Sequence, residues 1–372
     1  MHKSAYILPV IATGTAYYLF QNKDYWWLYI LMLVISEAIL YALIRRASKK
    51  PEYLSGYAVN VQHHEAWTER IITTETYTDR EGRTQTRQSV RYVEHPEEWL
   101  MLLNTGEWQY ISPSAYDSCR QVWRTQMQEI DPPHNNCVSG GGGQLYDWDG
   151  RYETAATCTY KGLYINYVTH SKSIFRHDRP LIWEQEKLGL IHYPKFKKNA
   201  LDIYPVLTSP SVTDYTASSD DQRAIQLINA IYGQKKQIHV FILIFDGNQS
   251  IETALKQKAH WDGGNKNEFT VCLGILPDSD GKGPTVKWSK AFSWSDIPSL
   301  ETATESWFIA NPKLDIPAYA EWLRKNLNLW KRKEFKDFKY LGVKLPTGRT
   351  VLLYIVSALL SAAIIYIFSI IR

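Results

Sequence analysis

The turn formed by residues 261–268 holds the residue types best suited to chemistry in this 372-residue chain. Asp262 and Glu268 could supply oxygen ligands to a divalent cation, and Lys266 could meet an anion. The turn lies between a predicted helix and a predicted buried strand, where loops of α/β folds carry binding residues. The alternative is a helix terminator at Gly263 and Gly264 followed by solvated charges, and the composition of the turn favours it.

Two further motifs resemble ligand loops. Asp278 and Asp280 with Gly281 match the start of a calcium loop, but the later bidentate glutamate is missing, which favours a hairpin turn. Four glycines at 140–143 resemble a phosphate-binding loop, but no GKS or GKT follows, which favours a flexible surface loop. The sequence has no GxSxG, HExxH or P-loop motif, and its four cysteines lack metal-ligand spacing, so we expect free thiols.

Apolar runs at 5–20, 26–44 and 350–371 bracket the polar body of the chain. The last run carries no charge and is long enough to cross the ~30 Å hydrocarbon core of a bilayer as a helix. The first run is shorter and contains Pro9 and Gly14, so it reads as a short span or as a signal segment. The pattern predicts an integral membrane protein that is fixed to the lipid bilayer at both ends.

Cations collect where the body meets these runs. Four lie at 45–50 and seven lie at 331–349, and lysine and arginine near membrane ends stay on the cytoplasmic side. We therefore expect a cytoplasmic body. The run at 330–349 is predicted to be a basic juxtamembrane helix that lies on anionic headgroups, because it adjoins a span; nucleic acid is the disfavoured partner.

Polar residues inside the apolar runs predict helix contacts. Glu37 is ionisable at a depth where lipid exposure is costly, so we expect it to be protonated or to turn to a partner such as Thr13 or Thr15. Ser357 and Ser361, with the alanines that follow them, give the spacing of small residues that lets helices pack closely.

The body divides by pattern into two parts. With 45% hydrophobic residues and a net charge of +4, the chain has the composition of a folded protein. Residues 51–205 predict a β-rich domain with a hairpin of strands 68–77 and 84–93, and with a helix that begins at Ser112 or Ser114 and ends at Met127. The proline-rich segment 193–210 predicts a linker.

Residues 208–329 predict an α/β sandwich around a small mixed sheet. Ser218 is placed to cap a helix, 238–245 is a strand buried on both faces, and further helices and strands alternate after it. His239 begins this strand and is predicted to be structural. The chain as a whole is therefore predicted to be an α+β membrane protein.

The order of these elements resembles the TPM-domain family, the module of thylakoid-lumen phosphatase proteins and of many bacterial membrane-associated proteins. The resemblance covers 208–329 and rests on five features in order: Ser-Ser-Asp-Asp-Gln at 218–222, the strand 238–245, Ser-Ile-Glu at 250–252 with Trp261, Gly-Asn-Lys-Asn at 264–267, and Tyr319.

Some members of that family are acid phosphatases, and others are assembly or accessory factors of membrane complexes. The resemblance therefore implies a membrane-anchored scaffold or accessory factor with a membrane-protein partner. The alternative that it implies is a metal-assisted, acid-phosphatase-like hydrolase that uses Asp262 and its neighbours with a divalent cation.

Overall fold

The computed structural model describes residues 2–20, 25–78, 82–132, 137–165, 178–195, 204–277, 281, 283–294, 297–341 and 345–370. The helices are α1 Ile7–Phe20, α2 Trp26–Ala47, α3 Pro113–Val122, α4 Ile182–Leu188, α5 Ser219–Lys236, α6 Glu252–His260, α7 Pro298–Ala310, α8 Ile316–Asn326 and α9 Thr347–Ile370. The strands are β1 Lys49–His64, β2 Trp67–Thr78, β3 Thr84–His95, β4 Glu98–Leu103, β5 Trp108–Tyr110, β6 Gln128–Ile130, β7 Cys137–Gly140, β8 Gly143–Asp147, β9 Thr157–Ile165, β10 Val206–Thr208, β11 His239–Asp246, β12 Glu268–Leu276 and β13 Thr285–Ser293. The protein is thus a mixed α/β structure, with apolar helices near both ends of the sequence.

Helices α1, α2 and α9 form a three-helix bundle. Helices α2 and α9 are long and apolar enough to cross a membrane, and α1 is shorter. Ala5, Leu40 and Leu353 pack together at one end, and Ala16 packs with Phe368 at the other. Helix α1 therefore runs parallel to α9 and antiparallel to α2, so the end of α2 and the start of α9 lie side by side.

Close packing of small residues holds the bundle together, as the serine spacing predicts. The buried hydroxyl of Ser357 donates a hydrogen bond of 2.5 Å to the Ala5 carbonyl, which brings the backbones of the two segments together. At the end of the bundle nearest the body, the Arg349 guanidinium donates to the Ala47 carbonyl.

The partner predicted for Glu37 is wrong. The Thr13 hydroxyl donates instead to the Pro9 carbonyl of its own helix at 2.8 Å, because a threonine can reach the carbonyl four residues earlier. Thr15 is exposed. Within the described residues, one buried carboxylate oxygen of Glu37 has no hydrogen-bond partner.

Strand β1 organises the β-rich part and begins one residue after α2 ends. Its first half pairs with β9, and its second half pairs with β4 and β8, all antiparallel. The sheet order is β5-β4-β1-β8-β6, with β9 on the other stretch of β1. Helix α3 buries Tyr116 and Cys119 against this sheet. It starts at the predicted cap, Ser112, but it ends at Val122 rather than Met127, since β6 follows.

The predicted hairpin is confirmed and is longer than expected. Strands β2 and β3 pair without a shift from Trp67 opposite His95 to Thr78 opposite Thr84. Strand β7 joins only at the base of the hairpin, next to Trp67. Residues 79–81, which belong to the predicted turn, lie outside the described residues.

The glycine run joins two strands, and its outer glycines belong to them, which the interpretation as a flexible surface loop does not predict. Gly140 ends β7 and Gly143 begins β8. A Cβ atom on Gly140 would lie 2.1 Å from the Ala66 carbonyl oxygen, and one on Gly143 would lie 2.4 Å from that of His63. The close approach of neighbouring backbones therefore requires glycine at both positions.

The α/β part contains the mixed sheet that the sequence predicts. Its order is β10-β11-β12-β13, with the first three strands parallel and β13 antiparallel. One face packs against α5, α7 and α8, with Ile228, Phe308 and Leu323 in that core. The other face packs against α6, with Phe241 and Ala254 in that core. A strand such as β11, covered on both faces, is apolar throughout for this reason.

The segment 193–210 is not simply a linker. Val206–Thr208 pairs with β11, so β10 is an edge strand of the sheet. Leu190 and Ile191 pack against the face that carries Phe241. The α/β part therefore begins well before residue 208. Residues 196–203 lie outside the described residues.

The two parts of the body share an interface through α5. A Cβ atom on Gly233 would lie 2.3 Å from the Ser55 carbonyl oxygen, so only glycine lets α5 approach β1 this closely. The Arg223 guanidinium donates to the Glu153 and Ala155 carbonyls at 2.8 Å. Helix α5 is thus packed between the two sheets.

The described part of the segment predicted as a basic juxtamembrane helix is not one continuous helix. A 3-10 helix spans Phe335–Leu341, and α9 begins at Thr347. Trp330 and Phe338 are buried against the α/β part, and the Trp330 indole donates to the Lys236 carbonyl at 3.1 Å. These aromatic side chains complete the core of the body, while Lys331 and Lys333 are exposed.

Candidate functional site

The 261–268 turn takes its shape from three successive residues in the left-handed region. Asp262, Gly263 and Gly264 have φ values of 52°, 83° and 79°. Glycine adopts this conformation readily, whereas a residue with a Cβ adopts it at a cost. The turn reverses the chain from the end of α6 into β12, as the helix-terminator interpretation predicts. The solvated charges that this interpretation also predicts are wrong for Lys266 and Glu268, which are buried.

Glu268 stabilises the turn through hydrogen bonds to its buried carboxylate. Its side chain is buried and accepts hydrogen bonds from the Asn265 amide nitrogen at 2.7 Å, from Asn265 Nδ2 at 2.8 Å and from the Tyr193 hydroxyl. Burial and the neighbouring carboxylate raise the pKa of the Tyr193 phenol. A cation bound by Glu268 would have to displace these donors, so the carboxylate acts first as a brace of the turn.

The segment that supplies Tyr193 is held against α6 by a two-way amide contact. The Gln257 side chain accepts from the Ile191 amide and donates to the Ile191 carbonyl, both at 2.9 Å. The Trp261 indole donates to the same carbonyl at 2.8 Å. Residues 190–193 are thereby fixed beside the turn, although they precede it by about 70 positions.

Asp262 lies on the outer side of the turn in an ion pair. The Arg179 guanidinium contacts both carboxylate oxygens, with Nε 2.8 Å from Oδ1. The rings of His192 and His260 lie beside this pair, with centroids 5.5 Å apart. Burial, the His192 ring and the Arg179 charge all lower the pKa of His260. This cluster of four side chains contains an imidazole base and a guanidinium cation. The Asp262 carboxylate already neutralises the charge of Arg179.

Lys266 points toward the C-terminal segment instead of toward solvent. Its ammonium donates to the Lys333 carbonyl at 3.0 Å and lies 5.9 Å from the centroid of the Phe338 ring. The side chain is buried. Lys266 therefore ties the turn to the segment that leads into α9, and its expected contact with an anion stays a prediction.

Asp262, Lys266 and Glu268 thus hold three different sets of partners. Among the described residues, no group of three or more His, Cys, Asp or Glu side chains is placed to hold a metal ion. A divalent cation bound by Asp262 and Glu268 remains a prediction, and both carboxylates would need to exchange protein partners for it. Asp278 and Asp280, the other predicted acidic pair, lie outside the described residues.

The edge of the sheet also matters for the predicted site. Strands β10, β11 and β12 are parallel, and the 261–268 turn precedes β12, which places it at the amino edge. Open α/β sheets bind ligands at the carboxyl edge. The sequence placed the turn correctly between a helix and a strand, but it did not show which edge of the sheet the turn occupies.

A small cleft of about 130 Å³ lies at the carboxyl edge. Asp246 ends β11 there, and its Oδ1 accepts from the Asn248 amide at 2.9 Å. Asp214 lines the same cleft and accepts from the Thr213 hydroxyl at 3.0 Å. The signal in the sequence was an acidic residue directly after a buried apolar strand.

The residues that contact Asp262 and Glu268 were not identified from the sequence. Arg179 and Tyr193 lie 83 and 75 positions from their partners Asp262 and Glu268. No local spacing could have found them. The four cysteines are free thiols, as expected.

Comparisons of the chain with protein-family models, with curated proteins and with solved structures give no match.

Proposed function

We propose that this protein is a membrane-anchored scaffold or accessory factor whose body binds a protein partner through the β2–β3 hairpin. The bundle of α1, α2 and α9 serves as the anchor in this proposal. The main support for a scaffold is that the side chains on both faces of the hairpin are exposed.

Residues 72–78 and 84–92 of the hairpin are exposed without interruption. An isolated two-stranded ribbon is marginally stable in water, since neither face is covered. This hairpin nevertheless carries large apolar side chains on one face: Ile72 is directly opposite Val90, and Tyr92 is the next residue of β3 on that face. They are 51%, 46% and 60% exposed.

A partner would cover this face or extend the sheet. Among the described strands β3 lies at the edge of its sheet, and an edge strand is a template for the addition of another strand. Arg70 lies directly opposite Tyr92 on the same face and is exposed. A protein surface with an apolar centre and an acidic rim would complement the hairpin.

The arrangement of the bundle supports the anchor. Two of its helices have the length and composition of membrane spans, and their outward faces carry exposed apolar residues such as Ile30, Val34, Leu352 and Leu359. Helix α1 packs along α9 as a structural member of the bundle, which favours a retained third helix over a removed signal. Three helices leave both connections to the body at the same end.

Charge favours a cytoplasmic body. Arg45 and Arg46 lie in the last turn of α2, Lys49 follows the helix, and Arg349 lies in the first turn of α9, so four exposed cations lie where the bundle meets the body. Cations at this position are retained on the cytoplasmic side.

A hydrolase has less support. Asp262 and Glu268 are engaged with Arg179, Asn265 and Tyr193, and the turn lies at the edge of the sheet opposite to the usual ligand edge. The resemblance of 208–329 to the TPM family stays a prediction, and it is compatible with the scaffold proposal.

Site-specific photo-crosslinking in native membranes tests the proposal. A benzophenone side chain at Val90 should give a discrete adduct with another protein, and Tyr92→Ser should reduce it. Ile309 is the matched control, because it is an isolated exposed apolar residue elsewhere on the body. The same adducts from both positions, or none from Val90, would argue against a docking role for the hairpin.

A further inference from the structure

A pocket of about 390 Å³ lies where the bundle meets the body. The end of α2 and the start of β1 form one wall, and residues 345–356 form the other. Its size is within the range of small-molecule sites. The two walls are about 300 residues apart in sequence, so only the folded chain creates the pocket.

The pocket combines two chemistries in separate regions. Every charged residue in its described lining is a cation: Arg46, Lys49 and Arg349. The remaining lining is apolar and follows the bundle: Leu43, Ala47, Leu345, Leu352, Leu353 and Val356. A ligand with an anionic head beside the cations and a hydrocarbon chain along the leucines would therefore match the lining.

The cations are available to a ligand. Arg46 and Lys49 are exposed, and no ion pair involving either one is formed within the described residues. Arg349 donates from Nη1 to the Ala47 carbonyl, which orients its guanidinium beside the other two. A guanidinium has five donors, so this contact leaves others for an oxyanion.

We propose that this pocket binds one anionic phospholipid, with its phosphate on Arg46, Lys49 and Arg349 and an acyl chain along Leu352 and Val356. The inference rests on the membrane anchoring proposed above and adds a defined lipid site to it. Basic pockets beside membrane helices on the cytoplasmic side bind anionic headgroups in this manner.

The lining distinguishes a lipid from other anions. A free phosphate would use the three cations but would leave the leucine wall uncovered. A nucleic acid would need a longer cationic track than a pocket closed by apolar helices provides. Only an amphiphile with an anionic head matches both the charge and the apolar lining.

Native mass spectrometry of the full chain in detergent micelles tests the site. Titration with phosphatidylglycerol should give a saturable one-lipid adduct, and phosphatidylcholine of the same chain length should bind clearly more weakly. Lys49→Gln and Arg349→Gln should each weaken phosphatidylglycerol binding by about fivefold, since a cation near an anionic lipid contributes about 1 kcal/mol.

Arg45→Gln is the matched control. Arg45 is exposed and precedes Arg46, but it does not line the pocket. This variant should bind phosphatidylglycerol like the parent. Equal losses in Arg45→Gln and Lys49→Gln would overturn the site in favour of a diffuse surface charge. If Arg349→Gln fails to fold, Lys49→Gln decides alone, because the Lys49 side chain makes no hydrogen bond to the backbone within the described part of the chain.

Two further experiments are needed. The first distinguishes a lipid headgroup from free phosphate, and the second distinguishes failure of the lipid site from failure of the membrane anchor. Inorganic phosphate that competes with phosphatidylglycerol at equal concentration would overturn the lipid assignment in favour of a phosphate site. Carbonate extraction of cell membranes tests anchoring independently. A chain that resists extraction but binds both lipids equally would refute the lipid site and leave the anchor intact, whereas an extracted chain would refute the anchor.

Discussion

Acidification should destabilise the body through His239, the first residue of β11. Its side chain is 1% exposed, its ring packs against Phe241 with centroids 4.6 Å apart, and Nδ1 lies 3.4 Å from the Ser55 hydroxyl. This burial lowers the pKa of His239 from 6.5 to about 3. The ring is therefore neutral in the folded protein at all but strongly acidic pH.

The sign and size of the effect follow from proton linkage. Between pH 6.5 and pH 3 the unfolded chain binds a proton at His239 and the folded chain does not, so the free energy of unfolding decreases as the pH falls. At about 1.4 kcal/mol per pH unit, the loss from pH 7 to pH 5 is about 2 kcal/mol. Lowering of the His260 pKa by burial acts in the same direction.

Guanidinium unfolding of the full chain in detergent micelles, followed by near-UV circular dichroism at pH 7 and pH 5, measures this loss. His239→Gln removes the titrating group and retains a polar side chain, so the variant should lose about 2 kcal/mol less than the parent between the two pH values. The contribution of His260 is present in both proteins and cancels. Equal pH dependence in the two would refute the reasoning that His239 is buried neutral.

Three further tests, with five substitutions, examine the packing of the body. Tyr193→Phe removes a donor to the buried Glu268 carboxylate and should lower the free energy of unfolding by about 1–3 kcal/mol. Asp262→Ala breaks an exposed ion pair and should lower it by under about 1 kcal/mol. Equal losses for the two variants in thermal melts would contradict this ranking. Phe241→Asp places a carboxylate in a fully buried strand and should cost several kcal/mol or prevent folding, so a parent-like melt would disprove the central strand. Gly233→Ala should lower the free energy of unfolding by about 1–3 kcal/mol, because a Cβ atom there would push α5 away from β1. Gly348→Ala is the control and should leave stability unchanged, since a Cβ atom there meets no neighbouring atom. The same melting temperature for both variants would show that the interface tolerates a Cβ atom.

Local signals predicted the elements well. Ser218 caps α5 as predicted, in a capping box with Asp221, and β12 has the predicted bounds, Glu268 to Leu276. These features depend on neighbours within a few residues or on burial of a whole strand, and the sequence displays both. The mixed α/β class follows from their order.

Long-range pairing could not be predicted from the same patterns. Strand β10 has only three residues and exists because β11 offers a parallel edge. Gly233 gives no sign in sequence that α5 packs on β1. The aromatics Trp330 and Phe338 alternate with cations as an interfacial helix would, yet they complete the core, because a hydrophobic side chain near a span can face either lipid or protein.

Thiol labelling in intact cells tests the central claim, that the bundle crosses a membrane and holds the body on the cytoplasmic side. Cys137→Ser provides the background, since Cys137 is partly exposed and the other three cysteines are buried. Trp26→Cys lies at the far end of the bundle, and Tyr77→Cys lies on the exposed hairpin. We predict that a membrane-impermeant maleimide labels Trp26→Cys in intact cells and labels Tyr77→Cys only after permeabilisation. Labelling of Tyr77→Cys in intact cells would contradict the account.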